Sequence, residues 1–248
     1  MAETKVAKEV FHVQRSGERF FADHDWLKTY HSFSFADYYD PNNLNWGALR
    51  VFNDDTIAGG TGFPTHPHRD MEIVTYVLDG ELEHQDSMGN RGVVRPGGIQ
   101  YMSAGTGVRH SEYNHSPAAP LRLVQMWVLP GEYGVKPSYG QEQYERSDRT
   151  GRWLTVASGQ NGVGSKTRLM QDASLHVARL ERTPLAYAFG QSRYGFLFVA
   201  DGDVSANGTA LRKGDAARIF NVPALEVSGA GELVLWDVPP TDTRLEDA

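Results

Sequence analysis

Between residues 71 and 102 the chain changes direction every few positions, and that punctuation limits what it can fold into. β-branched Ile73, Val74, Thr75 and Val77, with Tyr76 among them, favour a strand. Asp79-Gly80 is a tight-turn pair, after which Leu82-Glu83-His84 resumes the sheet. Ser87-Met88-Gly89-Asn90 and Pro96-Gly97-Gly98 are further turns, and Ile99 to Met102 is a short strand. The run LRLVQMWVL, residues 121–129, is long and β-favouring and would close the first sheet. No helix-period segment of comparable strength occurs in this half. Closely spaced short strands predict an all-β protein built as sandwich or barrel, and 26 glycines with 12 prolines suit it.

Upstream, residues 5–21 alternate loosely through Val6, Val10, Phe11 and Val13 to Phe20 and Phe21, and predict an early strand. His24 and His31 lie among aromatic residues without ligand-like spacing, and read as packing or surface histidines. Leu49 to Phe52 reads as a strand and Asn53-Asp54-Asp55 as the turn that follows it. Residues 130–172 are polar and glycine-rich, as expected of a connection between two lobes, with a short strand over 153–157.

The second lobe echoes the first. YGFLFVADGDVSANGTALRKGDAARIF repeats the order apolar strand, Asp-Gly turn (here Asp201-Gly202), strand, Gly/Asn turn, Arg-x-Gly and strand. The chemistry does not repeat: the positions matching His66 and His68 are Ala188 and Gly190, and His176 is the sole histidine of the second half. The expected division is a metal-binding domain over residues 1–134, then a connection and a metal-free domain over 135–248.

The candidate site is a pair of dyads. His66-Pro67-His68 and His110-Ser111-Glu112 each place two metal-competent groups at i and i+2. On a strand such residues leave the same face, roughly 6–7 Å apart. Pro67 fixes its own φ and biases His66 towards extended backbone, which pre-orients the two rings. Three imidazoles and a carboxylate suit a divalent transition metal with coordination positions left open for substrate. Iron is the first expectation, with zinc, nickel, manganese, cobalt and copper also compatible. Glu72 has the right parity but lies four residues beyond His68, roughly 13 Å on a straight strand, and reads as supporting the site rather than ligating. His84 and Asp86 either line the same cavity or sit on a strand end.

Composition excludes several classes. A formal net charge of -7 argues against bulk attraction to nucleic acid or anionic membrane. With no cysteine there are neither disulfides nor thiolate ligands. Neither a signal-peptide core nor a membrane-length apolar run is present, so a cytoplasmic location is expected.

At HSFSFADYYDP, RVFNDD, HPHRDMEIVTYVLDGELEHQDSMGN and QYMSAGTGVRHSEYN the sequence resembles the pirin family of the cupin superfamily, particularly its bacterial quercetinase-like members. The resemblance is close over roughly residues 30–130 and looser in the second lobe. It implies a bicupin of two β-barrels with metal in the first only, held by His66, His68, His110 and Glu112. The general cupin pattern would instead make Glu72 the carboxylate ligand. It further implies quercetin 2,3-dioxygenase activity: a flavonol and dioxygen as substrates, Glu112 as catalytic base, and ring opening with loss of carbon monoxide. The alternative it carries is a metal-dependent regulatory module that binds a protein partner.

Overall fold

The computed structural model describes residues 8–241; Val6, counted above with the early strand, lies outside the described residues. The first lobe is two sheets face to face. The larger has seven strands, in spatial order Ser138–Glu142, Ile99–Ser103, Glu72–Asp79, Leu121–Val128, Leu49–Ile57, Leu27–His31 and Phe20–Asp23. The smaller has four: Gly62–His68, Val108–Asn114, Leu82–Asp86 and Arg91–Val94. Apolar side chains from both sheets, among them Val77, Leu121 and Leu123 from one and Leu82 and Val94 from the other, close one end of the space between them.

The second lobe is one nine-stranded sheet organised on two long strands, Tyr194–Ala206 and Ala224–Val238, which pair antiparallel along nearly their whole length. Its core holds Leu180, Leu197, Val199, Leu211, Leu225, Val227, Leu233 and Leu235. The lobes meet through the outer face of the seven-stranded sheet. Phe52, Val74, Tyr76, Val124 and Met126 pack there against Phe196, Phe198, Val234 and Trp236, all fully buried. The Trp236 indole N–H donates to Met126 Sδ at 3.0 Å. Each such side chain contributes about 1.5–3 kcal/mol by leaving water, so the seam is a core in its own right.

Strand alternation sets which residues see which space. Along Leu121–Val128, Leu123, Gln125 and Trp127 turn towards the small sheet, while Val124 and Met126 turn to the second lobe. Two strands cross the chain-order boundary near residue 134: Val10–Gln14 pairs with Ala216–Phe220 of the second lobe, and Ser138–Glu142 with Ile99–Ser103 of the first.

Two expected turns are strand instead. Asn53-Asp54-Asp55 lies inside the continuous strand Leu49–Ile57, with all three residues buried. Asp201-Gly202 lies inside Tyr194–Ala206, at a bulge between Val199 and Asp201. Gly202 takes φ +84, which only glycine reaches without strain, and a Cβ there would meet Ala230 O at 2.1 Å. The Asp-Gly pair therefore bends the strand, and the chain reverses only at Asn207-Gly208.

Candidate metal centre

Gly62–His68 is the edge strand of the four-stranded sheet, which is where a strand tolerates Pro64 and Pro67 with their missing N–H groups. It runs antiparallel to Val108–Asn114 with His66 opposite His110 and Val108 opposite His68. Between His110 and Glu112 the register slips, Glu112 pairing with Phe63. The next strand sets His84 opposite Glu112 and Asp86 opposite His110. Residues paired across strands share a face, so six metal-competent side chains look into the space between the sheets.

Three of them converge. His66, His68 and His110 each offer a ring nitrogen within 4.8 Å of the others. The Nε2 atoms of His66 and His110 are 3.0 Å apart. The second nitrogen of His66, Nδ1, lies 2.8 Å from the Pro64 carbonyl. Donation from Nδ1–H to that oxygen leaves the Nε2 lone pair facing the cluster. Burial first, then the neighbouring imidazoles, push His68 and His110 down to about 3. Both rings are therefore neutral at physiological pH, the form a metal binds. The donor set fits a borderline divalent metal.

Glu112 stands beside this group but outside it. Its side chain is 2% exposed, and both oxygens are taken up by the opposite sheet. Gln125 Nε2 donates to Oε2 at 2.7 Å and Gln100 Nε2 donates to Oε1. Gln125 is itself fixed by the Trp127 indole N–H at 3.2 Å, and Gln100 by Thr75 Oγ1 at 3.3 Å. Burial raises the Glu112 carboxyl above its usual range, and His84 and the Gln125 amide pull the other way.

Glu72 does something else. Its strand shares no sheet with His68, and its parity is that of Val74 and Tyr76, facing the second lobe. There Glu72 is fully buried and accepts from the Tyr101 hydroxyl and the Met170 N–H, both at 2.6 Å, and from the Gln171 N–H at 2.7 Å. It ties the inter-lobe connection to the first lobe, and its expected role near the site is corrected accordingly. His84 is buried inside, stacked on Tyr139 at 4.1 Å, and its Nε2 lies 3.2 Å from Asp86 Oδ2. His31 is buried between Phe20 and Phe35, whereas His24 is exposed. Sequence reasoning missed Gln100, Gln125 and Trp127, because neutral amides on strands carry no spacing signal.

Aromatic rings frame the approach. Trp127 packs edge-on against His68 at 4.9 Å and Phe35 at 5.2 Å. Beside His68 opens a groove of about 420 Å³ lined by Pro67, Arg69, Ser87, Val108 and Arg109.

Residues 11–128 match the Pirin family model and residues 155–236 the model described as the quercetinase C-terminal cupin domain. A pirin-like protein of Caulobacter vibrioides is 47% identical over 219 residues, covering 87% of this chain and 94% of its own. The quercetin 2,3-dioxygenase of Escherichia coli K12 is 41% identical over 93% of this chain and 100% of its own. Crystal structures of YhhW from Escherichia coli superpose with TM-scores of 0.87 and, in complex with nickel(II), 0.86. Both are at 40% identity and cover 94% and 93% of this chain and the whole of the other. This chain belongs to the pirin family, with two cupin-type lobes.

Proposed function

We propose that the protein is a metal-dependent dioxygenase acting on flavonols of the quercetin type. The observation that carries the reading is the cluster of three histidines set beside a carboxylate gripped by two amides. The relatives named for quercetin 2,3-dioxygenase activity support it. His66, His68, His110 and Glu112 would hold one divalent metal, which when bound lowers the pKa of a coordinated hydroxyl and makes the electron-rich flavonolate accessible to dioxygen.

The chain's own residues do the rest. Trp127 and Phe35 offer flat apolar surface to an aromatic ligand, and the groove beside His68 is large enough for its remaining rings. Arg69 and Arg109 on the groove wall favour a phenolate. Glu112 accepts the proton of the 3-hydroxyl at Oε2 as it leaves the Gln125 amide, which makes it the general base. Among the described residues no helix is long and apolar enough to cross a membrane.

Aerobic incubation of the metal-loaded protein with quercetin tests this. Loss of flavonol absorbance together with carbon monoxide release is expected. An unchanged spectrum with no gas, for each of iron, nickel, manganese, cobalt, copper and zinc, would leave the regulatory-module reading in its place.

A further inference from the structure

Two cavities lie along the seam between the lobes, lined by none of the residues of the histidine cluster. One, of about 300 Å³ and open to solvent on one side, is lined by Tyr76, Arg122, Arg149, Arg179, Lys213 and Glu232, with Asp79 and Asp201 at its rim. The other, of about 440 Å³, is lined by Arg19, Tyr30, Asp54, Arg122, Lys213 and Gly214. Arg122 and Lys213 belong to both. In a chain of net charge -7, five cationic side chains converge there.

The local carboxylates are already engaged. Asp54 accepts from Arg122 Nε at 3.0 Å and Nη2 at 3.1 Å, with Arg19 at 3.4 Å. Glu232 accepts from the Tyr76 hydroxyl at 2.5 Å, from Arg149 at 2.6 Å and from Arg179 at 3.3 Å. Asp201 pairs with Lys213 at 3.3 Å, and Asp79 accepts from the Gly80 N–H at 3.0 Å. Donors remain over. Arg19 Nε and Nη1 and Arg149 Nη1 have no hydrogen-bond partner, Arg179 Nε has only Glu181 Oε1 at 3.8 Å, and the Arg19 and Arg149 side chains are only 2% and 10% exposed. Among the described residues, no fully buried side-chain oxygen lining either cavity lacks a partner. A buried guanidinium N–H left unmade is costly. Among the buried atoms the shortfall is on the donor side, so what fills it must accept.

We propose that the seam binds a small, multiply charged oxyanion of the phosphate type. Guanidinium forks match tetrahedral and planar oxyanions better than they match halide, and the 300 Å³ cavity admits inorganic phosphate with room for a short organic group. Arg122 also donates through Nη1 to the Ala200 carbonyl at 2.8 Å, so an anion held on Arg122 couples the first lobe to the second.

The test is calorimetric titration of inorganic phosphate into the full chain at low ionic strength, with no metal added. Saturable binding is expected, equal in the His110→Ala variant, since the histidine cluster takes no part. Arg179→Gln and Lys213→Gln should each weaken it by about tenfold or more, as loss of a charged hydrogen bond does. Lys28→Gln, a cation on the first lobe's outer edge paired with Asp23, should leave it unchanged. Sulfate should compete and chloride at equal ionic strength should not. Absence of saturable heat, affinity indifferent to both seam variants, or equal competition by chloride would each overturn the site, whatever the fate of flavonol turnover.

Discussion

The interiors of the two lobes are built to opposite rules. Across five neighbouring strands of the first, register partners His31, Asn53, Gln125, Thr75 and Gln100 form one polar row facing the space beneath the histidines. The corresponding row in the second lobe runs Val13, Ala217, Leu197, Leu235 and His176, apolar until its last member. The first interior also leaves buried polar atoms unpaired, including Asn53 Oδ1, Gln100 Oε1, His84 Nδ1 and His110 Nδ1. Burial pushes the Asp55 carboxyl up to about 7. Unpaired buried polar groups destabilise a fold. The first lobe thus keeps a chemically useful interior, while the second lobe and the apolar stretch of the seam around Phe52, Phe196 and Trp236 supply burial that offsets it.

The largest effect should come from His110→Ala. Metal content measured by elemental analysis should fall to background, and flavonol turnover should fall by at least about 100-fold, beyond what loss of a supporting hydrogen bond costs. Retention of full metal content would dissolve the contrast between the lobes, because His110 would then not distinguish them chemically.

In the second lobe the expected response is stability without chemistry. Leu235→Ala deletes a fully buried side chain and should cost about 2–5 kcal/mol in urea unfolding. Metal bound per folded chain should stay at the wild-type value. A parallel drop in metal affinity would show that the two interiors are not separable.

His176 sharpens the same contrast through pH. Its Nδ1 lies 3.0 Å from Thr155 Oγ1, and burial pushes it down to about 4 from 6.5. With the folded value depressed, the unfolded chain takes up the proton first as pH falls. The neutral ring's contribution is complete above pH 6.5 and is lost between 6.5 and 4. The depression corresponds to about 3 kcal/mol for one group. His31, also pushed down to about 4, and His68 and His110, pushed to about 3, add to the wild-type slope. His176→Gln should therefore remove roughly one proton's share of the acid sensitivity in chemical denaturation at pH 4.5 and 7. An unchanged slope would place the sensitivity in the first lobe alone.

How much of this the amino-acid sequence discloses depends on which face a residue serves. The punctuation of strands by Asp79-Gly80, Ser87–Asn90 and Pro96-Gly97-Gly98 announces the all-β fold, because turn chemistry is local. The i, i+2 dyads announce which residues gather, because parity is local too. Asn53-Asp54-Asp55 misleads, since three polar residues in a row have the composition of a turn. In the folded protein Asp55 faces inward opposite Thr29, and Asp54, on the sheet's other face, pairs with Arg122 of the neighbouring strand. Polarity there serves an interior whose partners lie on other strands, and no local pattern announces them. Glu72 misleads for the related reason that parity counts only within one sheet. The intervening turn, with Asp70 at φ 48, sends its strand into the other.

The smallest effect tests whether the polar row supports the metal or merely tolerates it. Gln125→Leu keeps similar volume, leaves the three histidines in place and removes the 2.7 Å bond to Glu112 Oε2. The Trp127 N–H loses its acceptor, but Trp127 is only partly buried and can turn to water. If the amide holds Glu112 in its ionised form at the cluster's edge, metal affinity against a competing chelator should fall by about tenfold, the low end for a residue that orients a ligand. The histidines still bind, so the loss is partial, and Gln125→Asn, a shorter amide, should restore only part of it. Should affinity stay at the wild-type value while stability rises, Gln125 would be an apolar position occupied by an amide for no reason connected with metal. The contrast between the lobes would then rest on the histidines alone.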